Sequence, residues 1–201
     1  MGVLPGLLRG SLRGGQHGRR AVHAAAGLSA VLLASAALAA AGTPHDGAWR
    51  EVAASLQPAG SGRLDWFGLR LYEARLWVGR GFRADAFDRH AFALELHYLR
   101  DFRAADIARR SLQEMERAAA IPAAQARQWQ EQLQRLLPDV RAGDRIAGAY
   151  LPGRGARFYV NGRPAGEIDD PRFASLFFGI WLAPTTSEPR LRESLLAGTP
   201  Q

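Results

Sequence analysis

The chain has 201 residues, 26 basic and 19 acidic side chains, 5 His and no Cys. Without Cys, disulfides, thiolate metal sites and cysteine nucleophiles are all excluded. The apolar fraction of 47% and charged fraction of 22% fit a globular core and rule out a collagen-like, coiled-coil or wholly disordered chain. Every basic residue is Arg; four of them (Arg9, Arg13, Arg19, Arg20) precede residue 40, where there is no acid, so 22 Arg face 19 acids in the rest. The Arg and acidic residues are interleaved there, which argues against nucleic-acid binding.

Residues 1–20 are basic and Gly-rich, and residues 21–41 are uncharged and rich in Ala and Leu. The stretch ends in small residues, Ala37-Leu38-Ala39 or Ala39-Ala40-Ala41, that suit signal cleavage. A cleaved secretory leader over 1–41 is expected. It would place the protein in a bacterial periplasm, by Sec or Tat, with no stable membrane span after cleavage. A retained anchor is the other reading, but Ala contributes little to insertion. A short tail, 42–49, and one domain, 50–198, would follow.

A short helix is expected over 46–56, stopped by the Pro- and Gly-containing segment Gln57 to Gly62. Residues 63–78 are aromatic and branched, and alternate from Leu69 onward, so they read as strand. A polar loop fills 79–90. Residues 91–99 form a strand with Phe92, Leu94, Leu96 and Tyr98 on one face and Ala93, Glu95, His97 and Leu99 on the other. Residues 103–119 are helical through Ile107, Ser111, Leu112 and Met115. Pro122 opens a second helix to 137, striped by Trp129, Leu133, Leu136 and Leu137. Strands at 144–151, 156–160 and 166–168 form a meander. Its Asn161-Gly162 step suits a type I′ turn, whose two central residues need positive φ. Asp170-Pro171 caps a nearly all-apolar helix over 172–182, and Ser187-Glu188-Pro189 begins a last helix that ends at Gly198. Strands and helices segregate along the chain. The fold class is therefore α+β, an antiparallel sheet covered by a helical layer.

Four stretches resemble the chalcone isomerase-like superfamily, especially its exported bacterial branch. They are Trp66 to Val78 (WFGLRLYEARLWV), Leu94 to Asp101 (LELHYLRD), Phe158 to Gly162 (FYVNG), and Phe177 to Leu182 (FFGIWL) followed by Ser187-Glu188-Pro189 and Leu191-Arg192. The resemblance covers about residues 50–198 and implies an open-faced β-sandwich with a ligand cleft between sheet and helices.

Plant chalcone isomerases close a flavanone ring with an Arg, a Thr, a Tyr, an Asn and a late hydroxyl. In this chain Ile107 falls at the Tyr position, Glu114 at the Asn position and Phe67 at the Thr position. The late hydroxyl falls near Leu176 or Phe177, and Arg63 is nearest in context to the Arg. Ile and Phe cannot supply donors aimed at a developing charge. Other superfamily members are similar to fatty-acid-binding proteins, in which an Arg and a Tyr hold a carboxylate above an apolar cleft. The expectation is therefore a non-catalytic domain that needs no cofactor and binds a small amphipathic or carboxylate-bearing ligand. Arg63, Arg70, Tyr72 and Tyr98 are the candidate contacts. Phe67, Trp77, Phe92, Trp129 and Phe177 are candidate walls. An isomerase with a rearranged polar set and a partner-binding envelope protein are the alternatives. Glu95 and His97 share a face but lack a third ligand for a metal. Ser111 has no His–Asp constellation in sequence, and Gly60-Ser61-Gly62 lacks the Lys of a phosphate loop.

Overall fold

A computed structural model describes residues 47–199. The leader expected over 1–41, and residues 42–46 of the tail, lie outside the described residues. In chain order the elements are α1 (Gly47–Ala54), β1 (Gln57–Trp66), β2 (Leu69–Val78), a 3-10 turn (Ala84–Arg89), β3 (Phe92–Tyr98), α2 (Ala104–Ala118), α3 (Ala123–Leu136), β4 (Arg145–Leu151), β5 (Gly155–Val160), β6 (Arg163–Ile168), α4 (Pro171–Leu182) and α5 (Pro189–Leu196). The six strands make one antiparallel sheet in the order β1-β2-β3-β4-β5-β6. This is the α+β fold that the segregation of elements predicts.

The main correction is β1. The segment expected to break α1 and stay irregular is an edge strand, and residues 63–78 are the two arms of a hairpin. Pro58 is tolerated at an edge because no second neighbour needs its N–H. The glycines have a packing reason. A Cβ on Gly60 would meet the Ser194 carbonyl oxygen at 2.3 Å, and one on Gly62 would meet Leu191 Cδ1 at 2.7 Å. Helix α5 therefore lies directly on the β1 backbone. β6 likewise starts earlier than expected, at Arg163, with Pro164 tolerated on the other edge.

The two faces of the sheet differ. On one, Leu76, Phe92, Leu94, Tyr98, Tyr150 and Phe158 pack against the helices in a single core. Its rings meet in a continuous layer. Phe92 stacks on Tyr150 at 4.9 Å, Phe178 sits edge-on to Phe92 at 5.0 Å, and Phe177 follows at 5.3 Å from Phe178. The opposite face is built from small residues, Ala93, Ala147 and Ala149, which admit the indole of Trp49 from α1. Trp49 meets Trp77 at 5.5 Å and Tyr159 at 5.7 Å. Trp77 thus belongs to the outer face and is no wall of the inter-layer space; Phe92, Trp129 and Phe177 do lie in the core.

Both tight hairpins have left-handed backbone at their centres. Asn161 and Gly162 have φ of 49° and 80°, as the Asn-Gly step predicts, and Phe67 and Gly68 have φ of 46° and 76°. Asp170 caps α4 by accepting from the N–H groups of Arg172 and Phe173. It also accepts from Trp129 Nε1 at 2.9 Å, which ties α3 to the start of α4.

Candidate functional site

The register of β2 on β3 sets Tyr72 opposite Tyr98. Their rings lie 6.1 Å apart, edge to face. Trp181, near the end of α4, donates from Nε1 to the Tyr72 hydroxyl at 3.0 Å. Trp181 also touches Phe177 at 5.5 Å, so the two tyrosines sit at the end of the aromatic layer. Phe102 closes the far side of Tyr98 at 5.6 Å.

Helix α2 brings charge to this end. Glu114 is 8% exposed, although it is a carboxylate. Arg110 Nη2 lies 2.5 Å from its Oε1, and Arg117 Nε lies 3.5 Å from Oε2. The segment between α4 and α5 is folded onto the same carboxylate. Thr186 donates its hydroxyl to the Ile180 carbonyl at 2.6 Å and accepts from the Glu188 N–H at 3.1 Å. That bend lets Ser187 Oγ donate to Glu114 Oε2 at 2.9 Å. Arg192 holds the end of α4 by donating to the Leu182 carbonyl at 2.7 Å.

Burial pushes the Tyr72 hydroxyl well above the ordinary tyrosine range. Glu188 and Glu114 push the same way, while the Trp181 hydrogen bond and Arg110 oppose it. Burial also raises Tyr98, and Tyr72 adds to it. Both therefore stay neutral and act as hydroxyl groups, not phenolates. No hydrogen-bond partner for the Tyr98 hydroxyl is found among the described residues. The Glu188 carboxyl is raised above the usual range by its own burial and then by Glu114, against Arg110.

The structure thus brings together Tyr72 and Tyr98 but neither expected arginine. The charges that act on Tyr72 are Glu188, Glu114 and Arg110. Arg63 is exposed on β1, opposite Glu73, and donates from Nε and Nη2 to the two Asp65 oxygens at 2.8 and 3.0 Å. Arg70 is exposed and stands opposite Asp65. Phe67 is 86% exposed at the hairpin tip and lines no cleft. Ile107 packs on the core, and Leu176 and Phe177 offer only carbon. Ser111 gives its hydroxyl to the Ile107 carbonyl within α2, as an interior helical Ser does. Glu95 takes Arg145 Nη1 at 2.7 Å, and His97 lies 3.8 Å from Glu73. A hollow of about 350 Å³ opens on the other face, between α1 and β5–β6, where Arg157 is committed to Glu167 at 2.7 Å.

Sequence reasoning missed Arg110, Trp181, Ser187 and Glu188 as neighbours of the tyrosines. Glu114 had a signal. It falls on the Ile107–Ser111 face of α2, so a carboxylate was due on the buried side of that helix.

A family model described as chalcone isomerase-like matches residues 41–197. A curated Haemophilus influenzae (strain Rd) protein named "Uncharacterized protein" is 25% identical over 143 residues, 71% of this chain and 69% of that one. Among solved structures, the crystal structure of an Arabidopsis thaliana fatty-acid binding protein superposes with a TM-score of 0.56 at 11% identity. The match covers 71% of this chain and 87% of that one, a likeness of fold.

Proposed function

The chain belongs to the chalcone isomerase-like family, and on that premise we propose that it is a non-catalytic binding domain for a small amphipathic, carboxylate-bearing molecule. The head group would be held by Tyr98 and Tyr72, with Arg110 in the role expected of Arg63 or Arg70. The observation that carries this reading is the pair of neutral hydroxyls, Tyr72 and Tyr98, set side by side at the end of the aromatic layer where Arg110 acts on Tyr72. The Tyr98 hydroxyl has no hydrogen-bond partner among the described residues and is not one of the sealed, unpaired polar atoms, so it can meet a ligand oxygen. The description of the Arabidopsis structure as a fatty-acid binding protein points to the same ligand class. Against catalysis, Ile107, Leu176 and Phe177 offer no donor or proton carrier where the plant enzymes have Tyr and a late hydroxyl.

The test is a titration with dodecanoate and with dodecanol, following Trp181 fluorescence against a Trp181→Phe control. Acid binding should exceed alcohol binding and should fall about ten- to a hundredfold in Arg110→Ala, the value of one charge-assisted contact. The sign with pH follows from Glu188. Its raised carboxyl is neutral below its folded value, where it can donate to a carboxylate, and charged above, where it repels one. Dodecanoate affinity should therefore rise as pH falls through that value, and Glu188→Gln should flatten the profile. Equal weak binding of both ligands at every pH would remove the reading. Hydroxychalcone should not turn over at a rate above the uncatalysed one.

Export belongs to the same proposal and is supported by the basic start and the Ala/Leu stretch of the sequence. Amino-terminal sequencing of the protein recovered from its host should begin after Ala39 or Ala41; an intact Met1 would overturn export with cleavage.

A further inference from the structure

The two two-residue hairpin turns of the sheet, β1–β2 and β5–β6, have nearly the same backbone but different chemistry. Asn161-Gly162, at φ of 49° and 80°, is the pair that such a turn favours. Phe67-Gly68, at 46° and 76°, puts a bulky ring in left-handed backbone, where Asn would be less strained. Turn formation is therefore no reason for Phe67. Nor is packing in the core, because Phe67 is 86% exposed, with Trp66 at 42% and Leu69 at 38% around it. The two aromatic rings brace each other edge to face at 4.6 Å. Three large apolar side chains at one exposed tip are a surface built to meet something apolar.

The charges at this end of the sheet say what. The Leu99 N–H bonds to the Leu71 carbonyl, and the N–H groups of Tyr98 and Gly143 link β3 to the start of β4, so Arg100 and Arg141 sit at the same end as the tip. Arg70, Arg100 and Arg141 are all exposed. The carboxylates here offset part of that charge but are held in place. Asp65 pairs with the Arg63 guanidinium, Asp101 takes the Ala142 N–H at 2.9 Å, Asp139 takes the Ala104 N–H at 2.8 Å, and Asp144 takes the Arg141 N–H at 2.7 Å and Asn161 Nδ2 at 3.0 Å. The guanidinium groups of Arg70, Arg100 and Arg141 have no ion-pair partner among the described residues, which leaves exposed, uncommitted cations around the aromatic point. Trp and Phe partition to the headgroup boundary of a bilayer, and arginines beside them are drawn to anionic lipid.

We propose that the β1–β2 tip, with the arginines of its end of the sheet, docks the protein on an anionic lipid bilayer, Trp66 and Phe67 entering the interface. No helix among the described residues is long and apolar enough to cross a membrane, and the contact proposed for the tip is peripheral. The proposal stands on the tip alone and is independent of the ligand reading above.

The absence of Cys makes the tip addressable. In the full chain, Leu69→Cys carries one environment-sensitive fluorophore, and Arg154→Cys, at the opposite end of the sheet, carries it in a control. Each is mixed with phosphatidylcholine vesicles with and without phosphatidylglycerol. The label at 69 should brighten and shift blue on the anionic vesicles, lose that response as salt is raised, and stay silent at 154. Adding Trp66→Ser and Phe67→Asn should weaken the response about ten- to a hundredfold, from the apolar area withdrawn. Phe67→Asn should melt at or above the parent temperature, which separates lost docking from lost folding. A silent label at 69, or an undiminished response once both aromatic substitutions are added, overturns the proposal. So does a response to protein concentration without lipid, which would assign the tip to a second copy of the chain.

Discussion

Removing a hydroxyl that is in a hydrogen bond strands its partner, whereas removing one that has no partner and is not sealed from water strands nothing. Tyr98 and Tyr72 face each other across two strands and fall on opposite sides of that distinction. The Tyr98 hydroxyl has no partner among the described residues and is not one of the sealed, unpaired atoms, and Tyr72 accepts from Trp181 at 3.0 Å. The two Phe substitutions should therefore differ in their effect on stability. Tyr98→Phe should leave the ligand-free protein within about 0.5 kcal/mol of the parent, while weakening dodecanoate. Tyr72→Phe strands the indole N–H of Trp181 and should destabilise by about 1–2 kcal/mol. Urea midpoints for both variants decide it. A loss of stability in Tyr98→Phe would mean that its hydroxyl is already paired, and the ligand argument would lose its basis.

At the scale of elements, packing decides what composition hides. β1 contains Pro58, Gly60 and Gly62, which are breakers by propensity, yet it runs for ten residues because α5 needs backbone, not side chains, beneath it. Gly60→Ala would set a methyl 2.3 Å from the Ser194 carbonyl oxygen, and backbone cannot swing aside as a side chain can. It should cost about 1–3 kcal/mol by overpacking and lower the melting temperature by several degrees; an unchanged melt would mean that α5 sits elsewhere. The same contact explains what could be read in advance. The strand at 91–99 was legible because large apolar side chains facing the helices alternate with small or polar ones facing the outer layer, and Asn161-Gly162 because the turn demands positive φ. The α4 cap was legible because Asp170-Pro171 is a local signal. β1 was not, since its cause lies more than a hundred residues away in α5. The site divides in the same way. Tyr72 and Tyr98 were visible on their strands. Arg110, Trp181 and Ser187 join them only through the crossing of α2, α4 and the bend before α5, which no spacing along the chain encodes.

For the whole molecule, the layer between sheet and helices is already full. Ring contacts run from Phe92 through Phe178, Phe177 and Trp181 to Tyr72 and Tyr98. A ligand's head can reach the tyrosines at the end of that layer, but its tail can enter only where a ring gives way. Phe177 is the ring to test, because it touches Phe158, Phe173, Phe178 and Trp181 at 5.3–5.5 Å and is 7% exposed, less enclosed than Phe178 at 0%. Phe177→Ala should cost about 3–5 kcal/mol through lost burial and the cavity left behind. A domain of ordinary stability, about 5–15 kcal/mol, survives that loss in a weakened state. The cavity then becomes room for a tail. The added room should lower the variant's dissociation constant. At one fixed dodecanoate concentration, about a hundredfold that constant, mass action returns about 2.7 kcal/mol to Phe177→Ala and less to the parent, so the variant's melting temperature should rise by more. Octanoate, whose shorter tail reaches less of the cavity, should restore less. An equal shift in both proteins would place the tail outside the layer, and no shift in either would leave the buried tyrosines without the ligand proposed for them.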